Sequence, residues 1–148
     1  MAKFWIALFA LTALLGACSR SDDRRDMAGT GDEGKNGRTA ATVEMTSSHQ
    51  FSPREVTVKV GESVMWKNSS NDAHTVTADP SRVKMKENVS LPSGAKTFHS
   101  GELQPGKTYR QTFTVAGTYK YVCTLHEDGG MTGTVIVRPS DTGSPNPY

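Results

Sequence analysis

The stretch GTYKYVCTLHEDGGMTGTVIVR, residues 117–138, decides how the fold of this 148-residue chain is interpreted. In its first part Tyr119, Tyr121 and Cys123 alternate with other residues, and in its last part β-branched residues dominate, as is typical of strands. Between these parts, CTLHEDGGM carries a thiol, an imidazole and a thioether, and its paired glycines disfavour a helix. The stretch predicts two strands joined by a loop that gathers ligands for a soft or borderline metal ion.

Strand patterns with turn residues between them recur along the chain and end only at Arg138. About six to eight such strands predict an all-β sandwich or barrel, with Trp66 and Phe113 in its core. Met45, Met65 and Met85 are expected to be core or capping residues. The polar segment 80–95 is compatible with a short helical turn or an edge strand. The other strand patterns are EVTVKV (55–60), SVMWKN (63–68), HTVTAD (74–79), KTFHSGEL (96–103) and TYRQTFTV (108–115).

The N-terminal segment has the features of a targeting signal. Lys3 precedes the apolar run FWIALFALTALLGA, which is long enough for a signal peptide but short for a membrane span. The run ends in LGAC, which resembles the bacterial lipobox. Residues 1–17 are therefore predicted to be a signal peptide and Cys18 the lipidated N-terminus, and an uncleaved transmembrane anchor is the alternative interpretation.

The rest of the chain divides by composition. The charged, glycine-rich segment 18–41 has too few apolar residues to fold, and we expect a flexible tether. Residues 42–138 form one domain that is large enough for a small core, and residues 139–148 are predicted to be a disordered tail. In residues 43–138, 11 Lys and Arg side chains face 9 Asp and Glu side chains without a basic run, which argues against nucleic acid as a partner.

The predicted metal site has one histidine from outside the loop. If Cys18 is lipidated, Cys123 is the remaining thiol of an exported domain and cannot form an intramolecular disulfide. His74, at the start of a predicted strand, is the best fourth ligand beside Cys123, His126 and Met131. One thiolate, two imidazoles and a weak thioether are the ligands expected for blue copper, whereas a methionine suits zinc poorly. Cys123 as a plain core residue, or as a nucleophile activated by His126, are the alternatives.

Several motifs occur in the order found in one family, and the chain resembles a small cupredoxin of the plastocyanin class from about Val43 to Arg138. This resemblance implies a Greek-key β-sandwich of about seven or eight strands that carries one type 1 copper. It implies that His74, Cys123, His126 and Met131 bind the copper, and that His126 lies nearest the surface as the route for electrons. The motifs are FSP (51–53), VGESVMWKN (60–68), LQPGKTY (103–109), GTYKYVC (117–123) and HEDGGMTGTVIV (126–137).

The chain departs from the family pattern near the expected ligands. Thr75 follows the first histidine, where relatives often have asparagine, and Leu125 precedes the second, where they often have proline. Such changes are expected to tune the redox potential more than the ligation. Glu127 and Asp128 follow His126, which is compatible with a partner that has a basic rim.

The function expected from the resemblance is electron transfer, without enzymatic activity. The chain is predicted to be a monomeric, lipid-anchored carrier on the periplasmic face or cell surface. Its partners would be redox proteins such as cytochromes or membrane oxidoreductases. A copper-binding or copper-delivery lipoprotein without redox turnover is the alternative. His49 and His99 have no ligand-bearing context, and His99 is expected to be a surface or packing residue.

Overall fold

The structure is a computed structural model that describes residues 38–140, and these residues form nine strands and two short 3₁₀ helices. The predicted signal peptide, Cys18, residues 18–37 of the predicted tether and residues 141–148 lie outside the described range. The 3₁₀ helices are Lys86–Asn88 and Glu127–Gly129. The strands are β1 (Thr39–Met45), β2 (Phe51–Ser52), β3 (Glu55–Lys59), β4 (Ser63–Asn68), β5 (Thr77–Ala78), β6 (Phe98–His99), β7 (Thr108–Thr112), β8 (Gly117–Val122) and β9 (Thr132–Arg138).

The strands form two sheets. One has the order β2-β1-β4-β7 and the other the order β3-β9-β8-β5-β6, and the β1/β4 and β3/β9 pairs are parallel. The prediction of an all-β fold is confirmed, with nine strands in the described residues where about seven or eight were expected. Of the two alternatives for segment 80–95, the structure has the short helical turn, a 3₁₀ helix, and in place of an edge strand only an isolated bridge from Ser90 to Lys120. Within residues 38–140, no helix has the length and apolarity that crossing a bilayer requires.

The core fills with the inward-facing residues of both sheets. Trp66 and Tyr121 have no exposed surface, and their rings meet edge to face with centroids 5.3 Å apart. Phe113 and Met45 are also buried, as predicted. Gly133 lies opposite Tyr121 in the β8/β9 pair, and any side chain at this position would overlap the tyrosine ring. The small residue in TGT is therefore a requirement of core packing.

β1 and β4 are parallel neighbours, so their first residues lie at one end of the sandwich and their last residues at the other. At the start of the pair, the Ser63 N–H donates to the carbonyl of Arg38, and at its finish Met45 lies opposite Asn68. The segments 46–50, 69–74 and 123–131 meet at this second end, which we call the loop end of the sandwich. The loop end carries all the predicted copper ligands.

Candidate metal centre

Three of the four predicted ligands bring their donor atoms together at the loop end. The candidate ligand atoms of His74, Cys123 and His126 all lie within 4.8 Å of one another. The Cys123 Sγ lies 3.7 Å from the Nδ1 of His74 and 3.5 Å from the Nδ1 of His126. Cys123 directly follows β8, and His74 is held by a two-way backbone bridge to Leu103.

The spacing of these donor atoms fits one shared metal ion. A thiolate at about 2.3 Å and an imidazole nitrogen at about 2.0 Å from one ion would lie about 3.5 to 3.7 Å apart for tetrahedral to trigonal angles. The two observed sulfur–nitrogen distances are 3.5 and 3.7 Å. Both sulfur–nitrogen distances are therefore those that one shared ion would produce.

Met131 closes the same loop. The Cys123 N–H donates to the Met131 carbonyl over 3.0 Å, and the Met131 N–H donates to the His126 carbonyl over 3.3 Å. The Met131 side chain is only 1% exposed. The structure thus places all four predicted residues in one compact region, with His126 as the most exposed of them.

A hydrogen-bond network orients His74. Its Nε2 lies 2.9 Å from the Ser70 hydroxyl, which in turn donates to the Oδ1 of Asn68. Because the hydroxyl proton is used in this way, Nε2 of His74 carries the donated proton and Nδ1 keeps its lone pair toward Cys123. Burial lowers the pKa of His74, and the nearby imidazoles of His126 and His49 lower it further. Burial also lowers the pKa of His126. Both rings are thus favoured in the neutral form that binds metals.

Thr75 links the two ligand-bearing segments. Its N–H donates to Cys123 Sγ over 3.3 Å, and its hydroxyl accepts the Thr124 N–H over 2.8 Å. The threonine therefore makes the connection between the two loops that the resemblance led us to expect from an asparagine.

The acidic residues after His126 serve the loop and do not form an open rim. Glu127 is only 1% exposed, and its carboxylate accepts the backbone N–H groups of Lys84 and Met85 over 2.9 and 2.8 Å. Asp128 pairs with the Lys84 ammonium at 2.6 Å. Glu127 is therefore not available to a partner at the surface, because its carboxylate is buried against residues 84 and 85. Leu125 is exposed beside His126.

His49 is a site residue that the sequence analysis missed. Its ring stacks on that of His126 with centroids 3.8 Å apart and planes 13° from parallel. No local pattern marks His49, since it lies in the β1–β2 connection, far from the ligands in sequence. His99 behaves as expected, because it is half-buried in β6 and its Nδ1 lies 2.8 Å from the Thr77 hydroxyl.

Two antiparallel-rich sheets with a buried Cys-His-His cluster at one end define a β-sandwich protein with a mononuclear metal site. Residues 38–138 match the model of the copper binding proteins of the plastocyanin/azurin family, and the chain belongs to this family. Proteins of this family bind one copper ion and are typically electron carriers, so copper is the cofactor of this chain.

Plastocyanins are among the similar curated proteins. The chain is 38% identical over 92 residues to the plastocyanin of Scenedesmus fuscus. The aligned region covers 60% of this chain and 86% of the relative. It is 37% identical over 88 residues to the chloroplastic plastocyanin of Tetradesmus obliquus, covering 60% of this chain and 58% of the relative. Among solved structures, an amicyanin variant in the oxidised state matches with a TM-score of 0.52 and 28% identity, over 67% of this chain and 82% of the amicyanin.

Proposed function

We propose that the protein is a single-electron carrier whose type 1 copper is held by His74, Cys123, His126 and Met131. The observation that carries this proposal is the spacing of the three donor atoms. The Nδ1 atoms of His74 and His126 lie 3.7 and 3.5 Å from the Cys123 sulfur. A thiol and a thioether favour Cu(I), and imidazoles serve both oxidation states. When bound, copper would supply reversible one-electron exchange between these two states.

The residues around the ligands support rapid exchange by limiting their movement. Ser70 fixes the His74 ring, Thr75 connects the histidine segment to the cysteine segment, and Glu127 attaches the ligand loop to residues 84 and 85. Outer hydrogen bonds of this kind orient metal ligands. Ligands held in one geometry have little to rearrange when an electron arrives. The half-exposed edge of His126, next to Leu125, is the proposed route for electrons.

We also propose that the carrier is exported and held at a membrane by a lipid on Cys18. The support is the apolar run followed by LGAC in the sequence. Its partners would be redox proteins of the same surface, such as cytochromes or membrane oxidoreductases, and the carrier would act as a monomer.

Copper loading tests the proposed function directly. The protein loaded with Cu(II) is expected to bind one copper and turn intensely blue, because a copper–thiolate bond absorbs visible light strongly. Cys123→Ser should abolish the colour, whereas His99→Ala, which changes a histidine outside the site, should keep it. A colourless wild-type complex would refute the type 1 assignment. Reversible bleaching by a mild reductant, followed by rapid reoxidation by a cytochrome, distinguishes a carrier from a copper-delivery protein.

A further inference from the structure

The outer face of His126 is covered by a residue from another loop. The His49 ring lies nearly parallel to the His126 ring, with centroids 3.8 Å apart, and it meets the His74 ring edge to face at 5.9 Å. The His49 side chain itself is 43% exposed. Rings stacked at this distance are in van der Waals contact over their shared face, which limits how far either ring can turn. His49 is therefore in contact with solvent on one side and with a proposed copper ligand on the other.

The backbone at His49 adopts a conformation that few side chains favour. Its φ is +54°, in the left-handed region where histidine is tolerated better than most residues but glycine is easier. A tight turn holds it there, because the His49 N–H donates to the Thr46 carbonyl and the Thr46 N–H donates to the Gln50 carbonyl, each over 3.0 Å. Such a conformation persists only where the surroundings determine it. The turn fixes the direction from which the ring meets His126.

A second loop restrains the same ring. The His49 Nε2 lies 3.5 Å from the Asp72 Oδ2. Asp72 is itself fixed, since its carbonyl accepts from the Asn68 side-chain amide over 2.7 Å and its N–H donates to the Ser70 hydroxyl over 3.1 Å. The network that orients His74 thus also holds the backbone of Asp72, from which the carboxylate reaches the His49 ring.

We propose that His49 is a positioning residue for His126: it stacks on the outer face of the ring, is tethered by Asp72, and restrains His126 from turning away from the metal. This inference rests on the proposed role of His126 as a copper ligand. It places His49, and not His126, as the outermost ring of the site. A docking partner that approaches this face meets His49 before it meets the ligand.

Matched substitutions in the full chain separate stacking from other effects of His49. His49→Ala removes the stack and the tether, His49→Phe keeps a flat ring without the tether, and Asp72→Asn weakens the tether alone. His99→Ala is the control, because it removes a half-buried histidine outside the site. The first measurement uses the copper-free protein and follows the order of the His126 ring by NMR relaxation. We expect the order to fall in His49→Ala, to fall less in Asp72→Asn and His49→Phe, which keep the stack but weaken or lose the tether, and to stay unchanged in His99→Ala.

The second measurement uses the copper-loaded protein and added imidazole. Displacement of His126 by imidazole, followed through the visible band, should be about tenfold faster in His49→Ala, which corresponds to about 1.4 kcal/mol of activation free energy. The rate should rise less in His49→Phe, which keeps the stack but loses the tether, and the control should match the wild type. An unchanged rate and ring order in His49→Ala, or a phenylalanine variant as defective as the alanine variant, overturns the inference. If the wild type binds no copper in a blue site, the proposed function fails, while the ring order of the copper-free protein still decides whether His49 positions His126.

Discussion

The Thr75 backbone N–H donates a hydrogen bond to the Cys123 sulfur over 3.3 Å, so the residue after the proposed ligand His74 contacts the proposed ligand Cys123. The Thr75 hydroxyl adds a second connection to the same segment by accepting the Thr124 N–H. The two ligand segments are 49 positions apart in the sequence and depend on these contacts for their spacing.

Replacing Thr75 by valine should loosen the connection while the main-chain bond to sulfur remains possible. The Thr124 N–H loses its acceptor in a part-buried position, and we expect the free energy of unfolding of the copper-free protein to fall by about 1–3 kcal/mol. Denaturant titration measures this loss. Thr118→Val, at an exposed position of β8, is the control and should change stability by less than about 0.5 kcal/mol. Equal stability of the two variants would contradict the linking role.

Glu127→Gln should weaken the attachment of the ligand loop to residues 84 and 85. The carboxylate accepts two backbone N–H groups while almost fully buried, and an amide offers one acceptor oxygen in its place. We expect a loss of about 1–3 kcal/mol in the free energy of unfolding. Asp128→Asn removes a charge from the exposed pair with Lys84 and should cost much less, because solvent screens such pairs. If the order of the two effects is reversed in denaturant titrations, Glu127 does not anchor the loop.

Gly133→Ala should destabilise the sandwich because its new methyl group overlaps the Tyr121 ring. Forcing extra volume into a packed core costs about 1–3 kcal/mol. Gly129→Ala is the matched glycine change, since an added Cβ there meets no atom within 4 Å. Thermal unfolding of both variants is the measurement. A Gly133→Ala protein as stable as Gly129→Ala would mean that the tyrosine ring has room to move.

The variants that lack one histidine ligand should differ in how well added imidazole restores the blue colour. His126→Gly should leave a position that added imidazole can reach from the surface, so the blue colour should return on titration. His74→Gly should be rescued poorly, because His74 has no exposed surface and exogenous imidazole would have to enter the packed loop end. The visible spectrum during imidazole titration reports both. Equal rescue, or rescue of His74→Gly alone, would argue against His126 as the electron route.

Cys18→Ala should prevent lipidation and leave an unprocessed or soluble protein. The copper spectrum should not change, because none of the proposed ligands lies before residue 74. Detergent-phase partitioning and membrane fractionation compare the two forms. A variant that is processed and partitions like the wild type would show that LGAC is not a lipidation signal.

The sequence is informative where a pattern is local and less informative where loops meet. The alternating valines of β3 and β9 and the Cys-His-Met spacing are visible in short windows, which is why the all-β fold and the cofactor could be predicted. β1 escapes such analysis because its first residues, TAAT, are small and only Val43 and Met45 are buried in the core. The stack of His49 on His126 depends on tertiary geometry that no window contains. The burial of Glu127 is invisible in the sequence for the same reason, since its partners are backbone groups of a distant segment.

The parallel pairing of β1 with β4 also determines at which end of the domain the N-terminal segment joins it. Arg38 lies beside Ser63, at the opposite pole from the ligands, and the seven-residue β1 spans roughly 20 Å between the two. β9 likewise runs away from the ligand loop, and the carbonyl of its last residue, Arg138, accepts the Val60 N–H. A tether that joins the domain at Arg38 would hold it by its distal pole. Under the proposed lipidation of Cys18, the anchor would attach to the end of the domain away from the ligands, so the tether's point of attachment would not cover the surface that a partner meets.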